Sequence, residues 1–185
     1  MKKQAIVLAA LFAATAAHAD PQAHGYIGTA GGATHINLDC TGTTSCDTRD
    51  TGAKLFGGYN FGNGFSLEAS YMAFGKFKGA DGTMSAAIKP TAIALGTAFA
   101  LPLSTDWGLN FRLGVARVKT QASANVGALS GSKAESKAKV YAGLGVTYAI
   151  TQTVKLELGV DTTEAHFAGE KGTLRLMSLA ASFAF

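Results

Sequence analysis

Six charged residues stand among small ones in segments of alternating character, and any chemistry in the chain has to start from them. Lys54, Glu68, Arg112, Lys155, Glu157 and Asp161 share their parity with residues such as Gly58, Ser66, Ser70, Gly114 and Gly159. Glu68, Arg112 and Glu157 each lie a few residues beyond a short turn, so the spacing sets them at one height. Two carboxylates around a guanidinium satisfy one another, and a charge in a narrow, poorly hydrated interior is costly unless paired. The cluster therefore reads first as barrel-interior ion pairs forming a polar plug, and second as an ion or proton path. Cys40 and Cys46 close a polar, Gly-containing stretch and are expected to pair as a disulfide, shaping a surface loop more than holding the fold. A metal at this place would need a second ligand pair, although His35 is near.

Elements that could position these residues are strands, since the side-chain period is two and no helical period is present. Lys54, Phe56, Gly58 and Asn60 oppose Leu55, Gly57, Tyr59 and Phe61, and a Gly62–Gly64 turn follows. Phe65, Leu67, Ala69 and Tyr71 oppose Ser66, Glu68, Ser70 and Met72. Ile93 to Leu101, Trp107 to Val115, Val140 to Ile150 and Val154 to Val160 repeat the pattern, each greasy set facing Gly, Ala or a polar residue. With an opening strand from His24 to Thr34 and a closing one from Leu174 to Phe185, the count is eight. Short turns at 62–64, 102–106 and 151–152 alternate with longer polar stretches at 35–51, 75–88, 119–136 and 165–173.

Met1-Lys-Lys3, an Ala-rich apolar run and Ala17-His-Ala19 form a secretory leader, expected to be cleaved after residue 19. The run is too short to cross a bilayer as a helix. Losing Lys2 and Lys3 lowers the formal charge of +4 by two, so the basic balance is no sign of nucleic acid. Residues 20–185 have the length of one domain.

The greasy parity is large and aromatic while the other is crowded with Gly, Ala and Ser. A soluble barrel would bury the greasy set, but an eight-stranded interior is narrow and better filled by the small one. Short turns at one end and long connections at the other are the pattern of an outer-membrane barrel. The expected fold is all-β, an eight-stranded antiparallel transmembrane up-and-down β-barrel. An even strand count puts both termini on the periplasmic side.

Tyr26-Ile-Gly28, Thr51-Gly-Ala-Lys-Leu-Phe-Gly-Gly-Tyr59, Leu67-Glu-Ala-Ser-Tyr71, Gly143-Leu-Gly-Val146 and the terminal Phe185 resemble the strands of the OmpA-like transmembrane domain and of its small OmpX and opacity-protein relatives. The resemblance covers essentially the whole mature chain. It implies an interior filled with ion pairs rather than an open pore, and a terminal aromatic, Phe185, read by the barrel assembly machinery. The sequence ends with the eighth strand, so the cell-wall tethering of full-length OmpA is not expected to carry over. Some eight-stranded barrels modify lipid A through a His and a Ser at the membrane rim. His166-Phe-Ala168 lacks the Ser two residues on that the deacylases carry.

The expectation is a monomeric, non-enzymatic protein of the outer membrane without a cofactor, contributing to envelope integrity or surface interaction. Its alternatives are an adhesin or ligand-binding protein acting through the long connections, a lipid A-modifying enzyme and a narrow channel; any host ligand is unknown. Lys89, Arg117, Lys119, Lys137, Lys139 and Arg175 fall near the long-loop ends, whereas only Lys155 is basic near the short turns. Such a collar would face the phosphates of lipopolysaccharide.

Overall fold

The computed structural model of the chain describes residues 23–37, 44–81, 84–126, 129–167 and 170–185. The leader expected at residues 1–19 and Cys40 lie outside them. Ten strands are present among the described residues: β1 (His24–Ile36), β2 (Ser45–Asp47), β3 (Arg49–Asn60), β4 (Phe65–Ala73), β5 (Phe77–Asp81), β6 (Met84–Pro102), β7 (Trp107–Val126), β8 (Leu129–Ala149), β9 (Val154–Phe167) and β10 (Glu170–Ala184). Antiparallel pairing runs β6-β4-β3-β1-β10-β9-β8-β7, and the β6–β7 ladder closes the ring. The closed barrel thus has the expected eight strands, while β5 pairs with the outer part of β6 and β2 with β5.

Each wall strand separates its parities as the period of two demands. Outward Leu55, Tyr71, Ile93, Val140 and Leu158 lie bare, Ile93 at 64% and Val140 at 69%. Inward Ala92, Ala94, Ala98 and Ala116 are buried. Exposed apolar area on this scale cannot face water and marks the surface that lipid covers. At the short-turn end the belt finishes in aromatics, with Phe65 against Phe99 at 4.7 Å and Trp107 against Tyr148 at 4.9 Å. The first turn is set by Gly62 and Gly64, both at positive φ (86° and 85°), where a Cβ would be strained.

The long connections differ from the expectation. Much of 75–88 and 119–136 is strand: β7 and β8 stay paired to Val126↔Leu129, and β6 reaches Met84. Beyond Ile88 and Thr120 the described side chains on both faces of β6 and β7, like those of β8 from Gly131 to Ala134, meet water, so no apolar parity marks them in the sequence. A sheet of β2, β5, β6, β7 and β8 therefore rises on one side. The β8–β9 ladder, in contrast, stops at Ala142↔Thr162. Beyond it side chains lace the seam: Thr163 Oγ1 donates to Val140 O at 2.9 Å, and Lys139 Nζ meets Glu164 Oε2 at 2.8 Å.

The barrel core has two storeys. Toward the short turns it is polar. Toward the long connections it is an apolar cluster that includes Ile36, Met72, Phe74, Phe77, Val118, Leu174 and Leu176, all buried. This upper storey lies beyond the polar plug that the inward charges suggest. Phe74, just after β4, and Phe77, which opens β5, enter it from either side of a segment that turns at Gly75 (φ 80°). The Asp50 carboxylate anchors that segment by accepting the Lys76 amide at 2.5 Å and the Thr51 amide at 2.8 Å. Those bonds, the Lys76 one foremost, hold the Asp50 carboxyl below its ordinary range. Thr34 Oγ1 lies 2.8 Å from Phe74 O and 2.9 Å from Asp50 O, its one hydrogen shared between them.

Candidate functional site

Five of the six inward charges meet in one layer below the apolar storey. Arg112, on β7, sends Nε to Glu68 Oε1 at 3.0 Å and grips Glu157 with both terminal nitrogens, Nη1 to Oε1 and Nη2 to Oε2, each at 2.6 Å. Two parallel bonds between a planar guanidinium and a carboxylate fix geometry as well as charge. Lys54, on β3, donates to Asp161 Oδ1 at 3.0 Å and to Tyr141 Oη at 3.0 Å, and stands 3.8 Å from Glu68 Oε1. Lys54 also sits 5.1 Å from the centre of the Phe56 ring, and Arg112 5.8 Å from it. The two cations thus share three carboxylates around one aromatic face.

Neutral donors that the charge pattern does not single out complete the layer. Tyr26 Oη donates to Glu68 Oε2 at 2.9 Å, Asn110 Nδ2 to Glu157 Oε2 at 3.0 Å, and Tyr141 Oη to Asp161 Oδ1. Their signal was present: Tyr26 and Tyr141 are large phenols on parities where the neighbouring positions, Gly28, Ala30, Gly143 and Gly145, are small. Glycine makes the room. A Cβ on Gly143 would come 2.6 Å from Asp161 Oδ1 and 3.3 Å from Arg112 Cβ, and one on Gly145 would run into the Glu157 carboxylate.

Lys155 departs from the expected set. It is exposed and forms no ion pair among the described residues. Its register partners Ala149 and Ser182 place it at the short-turn mouth. Water reaches the ammonium there, so no carboxylate is needed. A small cavity of about 80 Å³ between that mouth and the ionic layer is lined by Tyr26, Asn110, Lys155 and Glu157.

The six basic rim residues divide. Lys89, Arg117, Lys119 and Arg175 are exposed on the outward parity and form no ion pair among the described residues. Lys137 and Lys139 sit on the inward parity of β8, beside the seam. Lys137 meets Glu135 Oε1 at 3.0 Å, and Lys139 is held by Glu164. That hydrogen bond lowers the Glu164 carboxyl from its usual range. His166 Nε2 lies 3.5 Å from Lys137 Nζ. Among the described residues no three His, Cys, Asp or Glu side chains are arranged to hold a metal ion. Cys46 lies on β2. Because Cys40 is outside the described residues, its disulfide stays a proposal.

At the closing seam, Phe185 N donates to Gly25 O at 2.9 Å and Gly25 N to Phe185 O at 3.0 Å. The Phe185 ring is exposed.

A closed eight-stranded barrel with a lipid-facing apolar belt and a charged interior defines a small outer-membrane β-barrel protein. The model of the OmpA-like transmembrane domain matches residues 21–163, and the chain belongs to that family. Its fold is similar to that of Ail, the attachment invasion locus protein of Yersinia pestis (16% identity, TM-score 0.59, 89% of this chain and 99% of that one). It is likewise similar to Neisserial surface protein A (14%, TM-score 0.62, 87% and 97%). The N-terminal β-barrel domain of Pseudomonas aeruginosa OprF also resembles it (12%, TM-score 0.53, 89% and 100%). No curated protein matches the chain by sequence.

Proposed function

We propose that the protein is a closed, non-enzymatic barrel that contributes to the integrity of the outer membrane and holds lipopolysaccharide at its basic rim. The observation that carries this reading is the double closure of the interior. The Glu68–Arg112–Glu157 and Lys54–Asp161 pairs fill the polar storey, and Phe74, Phe77, Leu174 and Leu176 fill the one above. A barrel so filled offers lipid a wall rather than solutes a path. Both termini face the periplasm in this reading, supported by the even strand count and by the concentration of basic side chains at the opposite end. The chain acts as a monomer, and Phe185 directs it to the assembly machinery. A clean deletion should sensitise cells to bulky hydrophobic antibiotics and to envelope stress, with rescue by the wild-type gene. Unchanged sensitivity would remove the integrity role.

A second reading, surface attachment, is favoured by the sheet of β2 and β5–β8 standing above the belt. Shortening the β7–β8 hairpin between residues 119 and 136 should abolish whole-cell binding to a host surface if that reading holds, and leave it intact otherwise.

A further inference from the structure

We infer that the outer faces of β6, β7 and β8 form a discrete seat for one molecule of bisphosphorylated lipid A, built from Lys89, Arg117 and Lys119 above an acyl-chain groove. This rests on the reading that the rim contacts lipopolysaccharide and narrows it to one place. The register builds the seat row by row. Ile93 faces Arg117, which faces Ala138; one row farther from the turns, Thr91 faces Lys119, which faces Ser136; Lys89 and Gln121 follow above. All three cations are exposed, on outward parities of adjacent strands. Diagonal neighbours in such a sheet lie about 7–8 Å apart at Cα, within reach of one headgroup.

Uncompensated charge gathers in this patch, since Arg175, also without an ion pair among the described residues, stands apart on β10. Lys137 and Lys139 are already neutralised by Glu135 and Glu164, whereas Lys89, Arg117 and Lys119 form no ion pair among the described residues. Three uncompensated cations suit a headgroup carrying two phosphates better than a singly charged phosphodiester, and a guanidinium can take two phosphate oxygens at once. Shape supplies the second half. An open groove of about 410 Å³ runs below Arg117, lined by Ile93, Leu95, Val115, Ser136 and Ala138. Small Ser136 and Ala138 leave the depression, and the bulky aliphatic side chains give it an apolar wall. An acyl chain laid there carries its phosphate to the height of Arg117 and Lys119.

The test uses refolded full-length mature protein in micelles, titrated with bisphosphorylated lipid A, monophosphorylated lipid A and phosphatidylglycerol. Bound lipid is counted by native mass spectrometry, and thermal protection is measured in parallel. Lys89→Gln/Arg117→Gln/Lys119→Gln should lower lipid A affinity at least about tenfold, since each basic group near an anionic surface adds to binding. Lys137→Gln/Lys139→Gln/Arg175→Gln should stay within about twofold of wild type. Ala138→Trp, which fills the groove from the lipid side, should weaken lipid A with every charge in place. Heat-modifiable mobility verifies folding, and Arg117→Gln alone replaces the triple change if that fails to fold. Equal losses in the two triple variants would keep the rim reading and overturn the seat. No loss in either would overturn both, and tighter binding of phosphatidylglycerol than of lipid A would overturn the assignment of the ligand.

Discussion

Arg112 is the residue on which the polar storey turns, because among the described residues it alone touches both Glu68 and Glu157. Removing one partner of a buried pair typically costs about 3–5 kcal/mol, while replacing a pair as a unit often costs far less. Arg112→Met should therefore lower barrel stability by about that amount in urea unfolding, leaving Glu157 with Asn110 as its remaining partner. Adding Glu157→Gln should recover part of the loss; equal unfolding midpoints for single and double variants would refute the pairing. Lys155→Gln should fall within about 0.5 kcal/mol of wild type, as for other exposed positions. Gly143→Ala should cost about 1–3 kcal/mol by crowding Asp161 and Arg112. The shared height of Glu68, Arg112 and Glu157 was legible from parity and turn positions. Lys155 was not separable from Glu157 by parity, because two residues along a strand, about 6.6 Å, take a side chain from the buried layer to the mouth. Tyr26 and Tyr141 needed the strand pairings that set β1 beside β3 and β8 beside β9.

At the scale of elements, the eight wall strands were legible where lipid imposes an apolar parity. Where strands rise into water, as in β7 beyond Thr120, the pattern vanished and paired strand read as loop. The Phe74–Phe77 segment escaped for another reason: its two aromatics lie outside any alternating run, and contacts distant in sequence, from Asp50, Thr34 and Pro90, hold it in place. Because the Asp50 carboxyl is held low, the ionised form is favoured in the folded state. Its contribution is present above the ordinary carboxylate range, about pH 4, and is lost as pH falls through the lowered value. The Lys76 amide should accordingly lose hydrogen-exchange protection, relative to its intrinsic rate, in Asp50→Asn at neutral pH and in the wild type in acid. Protection unchanged by both would show that the carboxylate does not anchor the segment. At the other end of the chain, Phe185→Ser should reduce the membrane-inserted fraction in cells while refolding in detergent proceeds. Unaltered heat-modifiable mobility in outer-membrane fractions would contradict an assembly role for that ring.

As a whole the molecule is an asymmetric plug in a lipid-facing wall, aromatic at one rim, basic at the other and filled between. The direction of that asymmetry was readable in the sequence, where, apart from the inward Lys54 and Arg112, Lys155 is the one Lys or Arg near the short turns and the other cations gather at the far end. The closure itself was readable only in part, because the apolar storey is assembled from Ile36, Phe74, Phe77 and Leu174, which meet when the ring closes. Single-channel recording of the refolded mature protein in planar bilayers tests the closure most directly. The wild type should show no discrete conductance steps, and Phe74→Ser/Phe77→Ser combined with Arg112→Ala should introduce them. Steady ion-conducting steps from the wild type would contradict a barrel closed by its ionic layer and apolar storey.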